Sequence, residues 1–199
     1  DYRDRAFVIV QQDPERRMTS VWSCSVPAKR MGVRRGMVLN RLKRRYPDLE
    51  IIPRHSGLEE ISCEDLAKLL NDYTPKYRVD EGGMCILDLS GVSVQGKLEA
   101  LAERLKKEIR SRIGFSEISV GISHMKLLAR LLAKASLPDG VRMCKFGEED
   151  SILTSLDTGL IFGLSDACRK KIDKYGLKRI GQFRQLGKRA LVHRFGKEG

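Results

Sequence analysis

Paired cysteines are missing from this sequence. Its five, Cys24, Cys63, Cys85, Cys144 and Cys168, are odd in number and widely spaced, with no CxxC pair. That excludes a disulfide framework or a zinc knuckle and fits reduced thiols in a cytoplasmic protein. Long apolar runs are missing too. No segment approaches the roughly 18 residues that span a bilayer, and no signal-peptide pattern precedes the first strand-like segment, so no membrane role is expected. His55, His124 and His193 lie far apart without ligand spacing, so they read as structural or surface residues and no metal or cofactor site is expected. Aromatic residues make up 6% of the chain, with a single tryptophan, Trp22. Acidic residues are the scarcer charge, 26 against 38 basic, which leaves a formal charge of +12.

What is present is enough apolar material for a core. With 41% hydrophobic residues in 199, the chain suits one large domain or two small ones. A surface this basic attracts polyanions, of which nucleic acid is the commonest. Composition alone leaves bare solubility or anionic lipid as alternatives. The sequence begins at Asp1 and stops at Gly199 in mid-pattern, and so reads as part of a longer chain.

Ala6 to Val10 is a short β-branched run that predicts a buried strand, with Met18 to Cys24 as its hairpin partner. Trp22, on that second strand, reads as a core residue rather than a base-stacking one. Two short helices interrupted by Gly32 and Gly36 follow, then a strand at Leu49 to Ile52. Ser62 reads as the N-cap of a helix that Pro75 prevents from continuing past Tyr73. Lys76–Asp80 and Met84–Leu89, joined at Gly82-Gly83, predict a hairpin in a central sheet. Gly96 to Ile113 is the clearest helix, with a core stripe of Leu98, Leu101, Leu105 and Ile109. Ile118 to Ile122 predicts a strand and Lys126 to Ala135 a second apolar helix. The order implies an α+β sheet with helices on one face.

From about Glu148 the chain turns helical and more basic. Ile161-Phe162-Gly163-Leu164-Ser165, followed by Tyr175-Gly176-Leu177 and Ile180-Gly181-Gln182-Phe183, suggests a helix-hairpin-helix unit. Backbone amides at such a turn, backed by a helix N-terminus, hold a phosphate without reading a base.

In this order the pieces resemble the palm, fingers and thumb of Y-family translesion DNA polymerases. The most specific stretches are Ser25 to Met37, Tyr73 to Gly91, Val120 to Gly140 and Ile161 to Phe183. The resemblance implies fingers-like material with the first strands in 1–73, a palm-like segment in 74–147 and a truncated helix-hairpin-helix thumb in 148–199. The family's little finger would lie beyond Gly199.

Polymerase chemistry needs carboxylates converging on two divalent ions. The family's first metal aspartate lies on a strand upstream of Ala6, and that strand is absent here. The family's Asp-Glu pair stands four and five residues before the aspartate of a Leu-Asp, and counting back from Leu87-Asp88 reaches Gly83 and Met84. Asp80-Glu81 is the alternative pair, at the cost of a register slip. The family's triphosphate contacts fall on Val26, Lys29 and Leu137; lysine keeps a charge without a bidentate fork, and the other two keep nothing. This pattern resembles the inactive ImuB-type subunit of bacterial mutasomes. It implies no catalytic residues, no metal and no cofactor, a role in DNA-damage tolerance and SOS mutagenesis, and DNA, a polymerase and the sliding clamp as partners. The alternative is an active translesion polymerase seen as a fragment.

Phosphate contact is expected at Phe162, Gly163, Leu164 and Ser165 and at Lys170, Lys171, Lys174, Lys178, Arg179, Lys188 and Lys197, against the plain reading of a solvated helical face. A second basic cluster, Arg34, Arg35, Arg41, Lys43, Arg44 and Arg45, faces either single-stranded template or a protein partner.

Overall fold

The computed structural model describes residues 4–13, 18–80, 83–93 and 97–196. The chain forms two compact units, Asp1–Ser62 and Cys63–Gly199.

In the first unit the β-branched run becomes β1 (Phe7–Asp13), and β2 (Met18–Cys24) returns antiparallel to it. β3 (Glu50–Pro53) lies on the other side of β1 and runs parallel to it, giving the order β2-β1-β3. Val8 and Val10 alternate inward with Val21 and Cys24 and meet α1 (Val26–Arg30) and α2 (Leu39–Arg45) through Ala28, Val33 and Leu42. Ser25 caps α1 by accepting the N–H of Ala28 and also takes the N–H of Phe7, so one hydroxyl ties the helix start to the first strand.

The unit boundary falls within α3 (Ser56–Asn71), which starts six residues before the expected cap at Ser62. Ser56 and Gly57 disguise its first turn in the sequence; Glu59 in that turn is gripped by Arg54 at 2.8 Å, which anchors the early start.

In the second unit α3 contributes Leu66, Leu69 and Leu70 to a core shared with Leu105 and Ile109 of α4 (Leu98–Ile113) and with the hairpin β4 (Tyr77–Asp80)–β5 (Met84–Leu87). The predicted stripe of α4 is half right: Leu105 and Ile109 are buried, while Leu98 and Leu101 are half-exposed. Its predicted start at Gly96 and the hairpin's Gly82 lie outside the described residues.

β6 (Val120–Ile122) pairs in parallel with β7 (Val141–Met143), a strand the sequence did not announce. A single central sheet is therefore not what forms among the described residues; the strands pair in three separate sheets, β2-β1-β3, β4-β5 and β6-β7. α5 (Lys126–Ala135) covers β6 directly. Gly121 permits that approach: a Cβ there would stand 2.0 Å from the Ala129 carbonyl oxygen.

The C-terminal part consists of α6 (Glu149–Ser155), a 3₁₀ turn (Thr158–Leu160), α7 (Asp166–Lys174) and α8 (Ile180–Phe195), which is broken at Gly187. Buried Thr158 donates its hydroxyl to the Leu177 carbonyl, and backbone bonds join Thr158 to Lys178 and Ile180 to Leu156. Cys168, Ile172, Leu177 and Phe195 form its core.

Candidate nucleic-acid interface

The β4–β5 register pairs Tyr77 with Leu87 and Asp80 with Met84, so Met84 opens β5 at the end of the hairpin and Gly83, at φ +79°, leads into it. Gly83 is exposed and Met84 half-buried. Arg130 of α5 places its Nε 3.3 Å from the Met84 sulfur. Asp80 is held by Arg78 through contacts of 2.6 and 2.9 Å. The Arg78 guanidinium, helped by the charges of Arg130 and Lys126, keeps the Asp80 carboxyl below its ordinary range. Glu81, its expected companion, lies outside the described residues. Asp88 is exposed and accepts the Ser90 N–H at 2.8 Å, while its own carbonyl receives the buried Thr74 hydroxyl. These bonds lock Tyr73-Thr74-Pro75 against Leu87-Asp88. Among the described residues no three His, Cys, Asp or Glu side chains gather in a group able to hold a metal ion.

Val26 and Lys29 both lie on α1 and both are exposed. Leu137 is exposed just before a turn whose Asp139 is clamped to α4 by Lys106 and Arg110. Asp139 also accepts the Ile118 N–H, and this hydrogen bond is the main reason its carboxyl ionises below the ordinary range. Lys106 is 3% exposed, an ammonium buried in the fold, and donates to the Asp139 carbonyl at 3.2 Å.

The stretch 161–165 forms an open turn. Gly163 has φ +77° with nothing within 4 Å of a Cβ, so the left-handed backbone rather than crowding calls for glycine. Ser165 caps α7, its hydroxyl oxygen accepting the Cys168 N–H at 3.1 Å. One N–H of the α7 start is thereby already used. Arg169 holds the turn from behind by donating to the Ile161 carbonyl. Phe162 packs under the guanidinium of Arg130 and the ammonium of Lys134, 4.5 and 4.9 Å from its ring. Leu164 packs inward on the α7–α8 core.

The lysines divide by their surroundings. Lys170, Lys174 and Lys188 are exposed and form no ion pair among the described residues. Lys171 reaches the Arg194 carbonyl at 3.4 Å. Lys178 is exposed but its backbone N–H is tied to Gln182, and Arg179 donates to the Ser155 carbonyl while capping α8. Lys197 lies outside the described residues. Sequence reasoning missed Arg130 and Lys134, which sit on α5 at the spacing of an ordinary amphipathic helix and acquire meaning only when Phe162 and Met84 are brought to them.

No helix among the described residues is long and apolar enough to cross a membrane. Comparison with known proteins found the impB/mucB/samB family model matching residues 1–134. The chain is 29% identical over 197 residues to DNA polymerase IV of Pelotomaculum thermopropionicum, covering 96% of this chain and 48% of that protein. It is 29% identical over 184 residues to DNA repair protein rev1 of Schizosaccharomyces pombe, covering 89% of this chain and 19% of the relative. The fold matches DinB from Sulfolobus solfataricus with a TM-score of 0.81 at 22% identity, over 99% of this chain and 57% of that one. A ternary insertion complex of Dbh DNA polymerase matches with a TM-score of 0.77 at 22% identity, over 99% and 58% of the two chains. The chain thus spans about half the length of the DNA polymerase IV relatives it matches.

Proposed function

Since the chain belongs to the impB/mucB/samB family of Y-family DNA polymerase-like proteins, we propose that it is a non-catalytic, polymerase-shaped subunit that binds DNA and scaffolds other proteins in DNA-damage tolerance. The observation that carries this reading is the end of the β4–β5 hairpin. Where the resemblance puts the metal-binding carboxylates, Gly83 and Met84 stand, a guanidinium rests on the Met84 sulfur, and the neighbouring Asp80 is already neutralised by Arg78. Val26 and Leu137 offer no charge to a triphosphate, and Lys29 offers a single ammonium.

DNA contact is assigned to the thumb-like segment 148–199, which follows a fingers-like segment 1–73 and a palm-like segment 74–147 in the chain. The open turn Phe162 to Ser165 presents backbone amides at the start of α7, and Lys170, Lys174 and Lys188 supply mobile charge around it. Contacts of this kind position a duplex by its phosphates and carry no sequence preference. The subtype that fits is the inactive ImuB-type subunit, with a polymerase and the sliding clamp as protein partners.

The test is fluorescence anisotropy with primer-template and blunt duplex at several salt concentrations, with and without Mg²⁺ and nucleotide. Salt-sensitive binding indifferent to metal and nucleotide is expected. Tightening that requires both metal and the correct nucleotide would establish a working active site and reverse the assignment.

A further inference from the structure

Trp22 lies outside the core that the sequence assigned it to. β1 and β2 pair Ile9 with Ser23 and Val10 with Val21, so Trp22 is the extra residue of a β-bulge and has no partner on β1. A bulge re-aims the side chain it inserts. Two guanidiniums lie over the re-aimed ring, Arg35 at 4.0 Å and Arg54 at 3.8 Å. They arrive from opposite sides. Arg35 belongs to the loop along the outer edge of β2, where Gly36 and Met37 share backbone bonds with Val21. Arg54 follows β3 beyond β1 and donates its N–H to the Val10 carbonyl. Guanidinium, indole and guanidinium therefore form a row across the three-stranded sheet.

The two arginines differ in what they have left to give. Arg54 is committed, with Nε and Nη2 on Glu59 and Nη1 on Gln11. That side chain alone suffices to tie β2 to the start of α3. Arg34, next in the loop, folds back onto the carbonyls of Lys29 and Val33. Arg35 does neither: it is exposed, and its guanidinium makes no hydrogen bond or ion pair among the described residues. Held over an indole at 4.0 Å, it keeps its donors and has surrendered much of its rotamer freedom in advance. The loop leads directly into α2, where Arg41, Lys43 and Arg44 are also exposed.

We propose that Arg35 on Trp22 is a platform for one nucleotide of single-stranded DNA. An unpaired base stacks on the outer face of the guanidinium, an adjacent phosphate takes its edge N–H groups, and the α2 cations attract the flanking backbone. Stacking needs an unpaired base, which a closed duplex does not offer. The site rests on the DNA-binding reading above but lies within the first unit, apart from the residues assigned to duplex contact.

Trp22 is the chain's one tryptophan, so indole emission reports on this site alone. Oligothymidine of about 12 nucleotides is titrated at low salt against the chain, with an abasic strand of equal length and with blunt duplex followed by anisotropy. Oligothymidine should quench the emission saturably, and the abasic strand should bind about fivefold more weakly. Arg35→Ala should lower oligothymidine affinity about tenfold with duplex affinity unchanged, and Arg35→Lys should not restore it, because an ammonium has no flat face. Unchanged emission while duplex still binds would overturn the platform. So would an abasic strand equal to oligothymidine, or an Arg35→Ala variant equal to the parent. If neither strand nor duplex binds, the DNA-binding reading falls and takes the platform with it. Circular-dichroism melting of both Arg35 variants establishes that they are folded.

Discussion

The Nε of Arg130 stands 3.3 Å from the sulfur of Met84, so a cation from α5 closes over the side chain at the end of the β4–β5 hairpin. A thioether is a weak acceptor, and a carboxylate in its place would be a strong one. Met84→Glu should therefore be accepted as an ion pair, with a thermal stability between neutral and about 1 kcal/mol above the parent. Primer extension with Mg²⁺ should remain absent, since one carboxylate does not make a two-metal site. Recovery of extension by this single change would refute the reading of the hairpin as inactive.

Duplex binding should weaken in proportion to the charge removed from residues 148–199. Replacing Lys170, Lys174 and Lys188 together by alanine should reduce the slope of log affinity against log salt by about 3. A slope that does not move would place the duplex elsewhere on the chain.

At Gly121 a methyl group would collide with the backbone of α5, at 2.0 Å from the Ala129 oxygen and 2.4 Å from the Ala133 nitrogen. Neither atom can rotate away. Gly121→Ala should cost about 3 kcal/mol and lower the melting temperature by about 10 °C. A melting curve that overlays the parent would show that β6 and α5 are less closely apposed.

Lys106 and Asp139 should respond unequally to mutation. Asp139→Ala takes the carboxylate from Arg110, the Ile118 N–H and the buried Lys106 ammonium, which keeps the backbone carbonyl at 139 and Glu103; it should cost about 2 kcal/mol in urea unfolding, whereas Lys106→Met should stay within about 1 kcal/mol of the parent. Because the Asp139 carboxyl ionises below its ordinary range in the fold, its contribution is complete above about pH 4 and is lost as pH falls through its folded value. Asp139→Asn should flatten that acid limb of the stability curve.

Thiol labelling should single out Cys63. It is exposed, while Cys24, Cys144 and Cys168 are buried. Cys85 is half-buried, and burial pushes its thiol up to about 11, which leaves little thiolate near neutral pH. Iodoacetamide at pH 7.5 should show one fast phase, and Cys63→Ser should remove it.

Much of the local structure was legible in the residue pattern. α5 runs from Lys126 to Ala135 as its apolar periodicity indicates, and β2 returns on β1 as a hairpin. The β4–β5 hairpin forms between Asp80 and Met84, where the glycine pair placed its turn. Less visible was anything set by non-local pairing. β7 is three residues long and carries Arg142 in the middle, so its strand character comes from lying beside β6. The start of α3 was obscured by Ser56 and Gly57, turn residues overruled by the Arg54–Glu59 pair.

By itself the sequence determined the basic charge, the absence of CxxC pairs and long apolar runs, and the apolar faces of the helices. These are properties of composition and spacing, and folding does not alter them. Only the tertiary structure decided which charges are spent and which remain. Arg54, Arg179 and Lys106 donate to partners within the chain; Lys170, Lys174, Lys188 and Arg35 are exposed and form no ion pair among the described residues. Partner atoms for a side chain come from segments distant in sequence, as Trp22 shows: one unpaired residue in a strand register moved it out of the core and under Arg35.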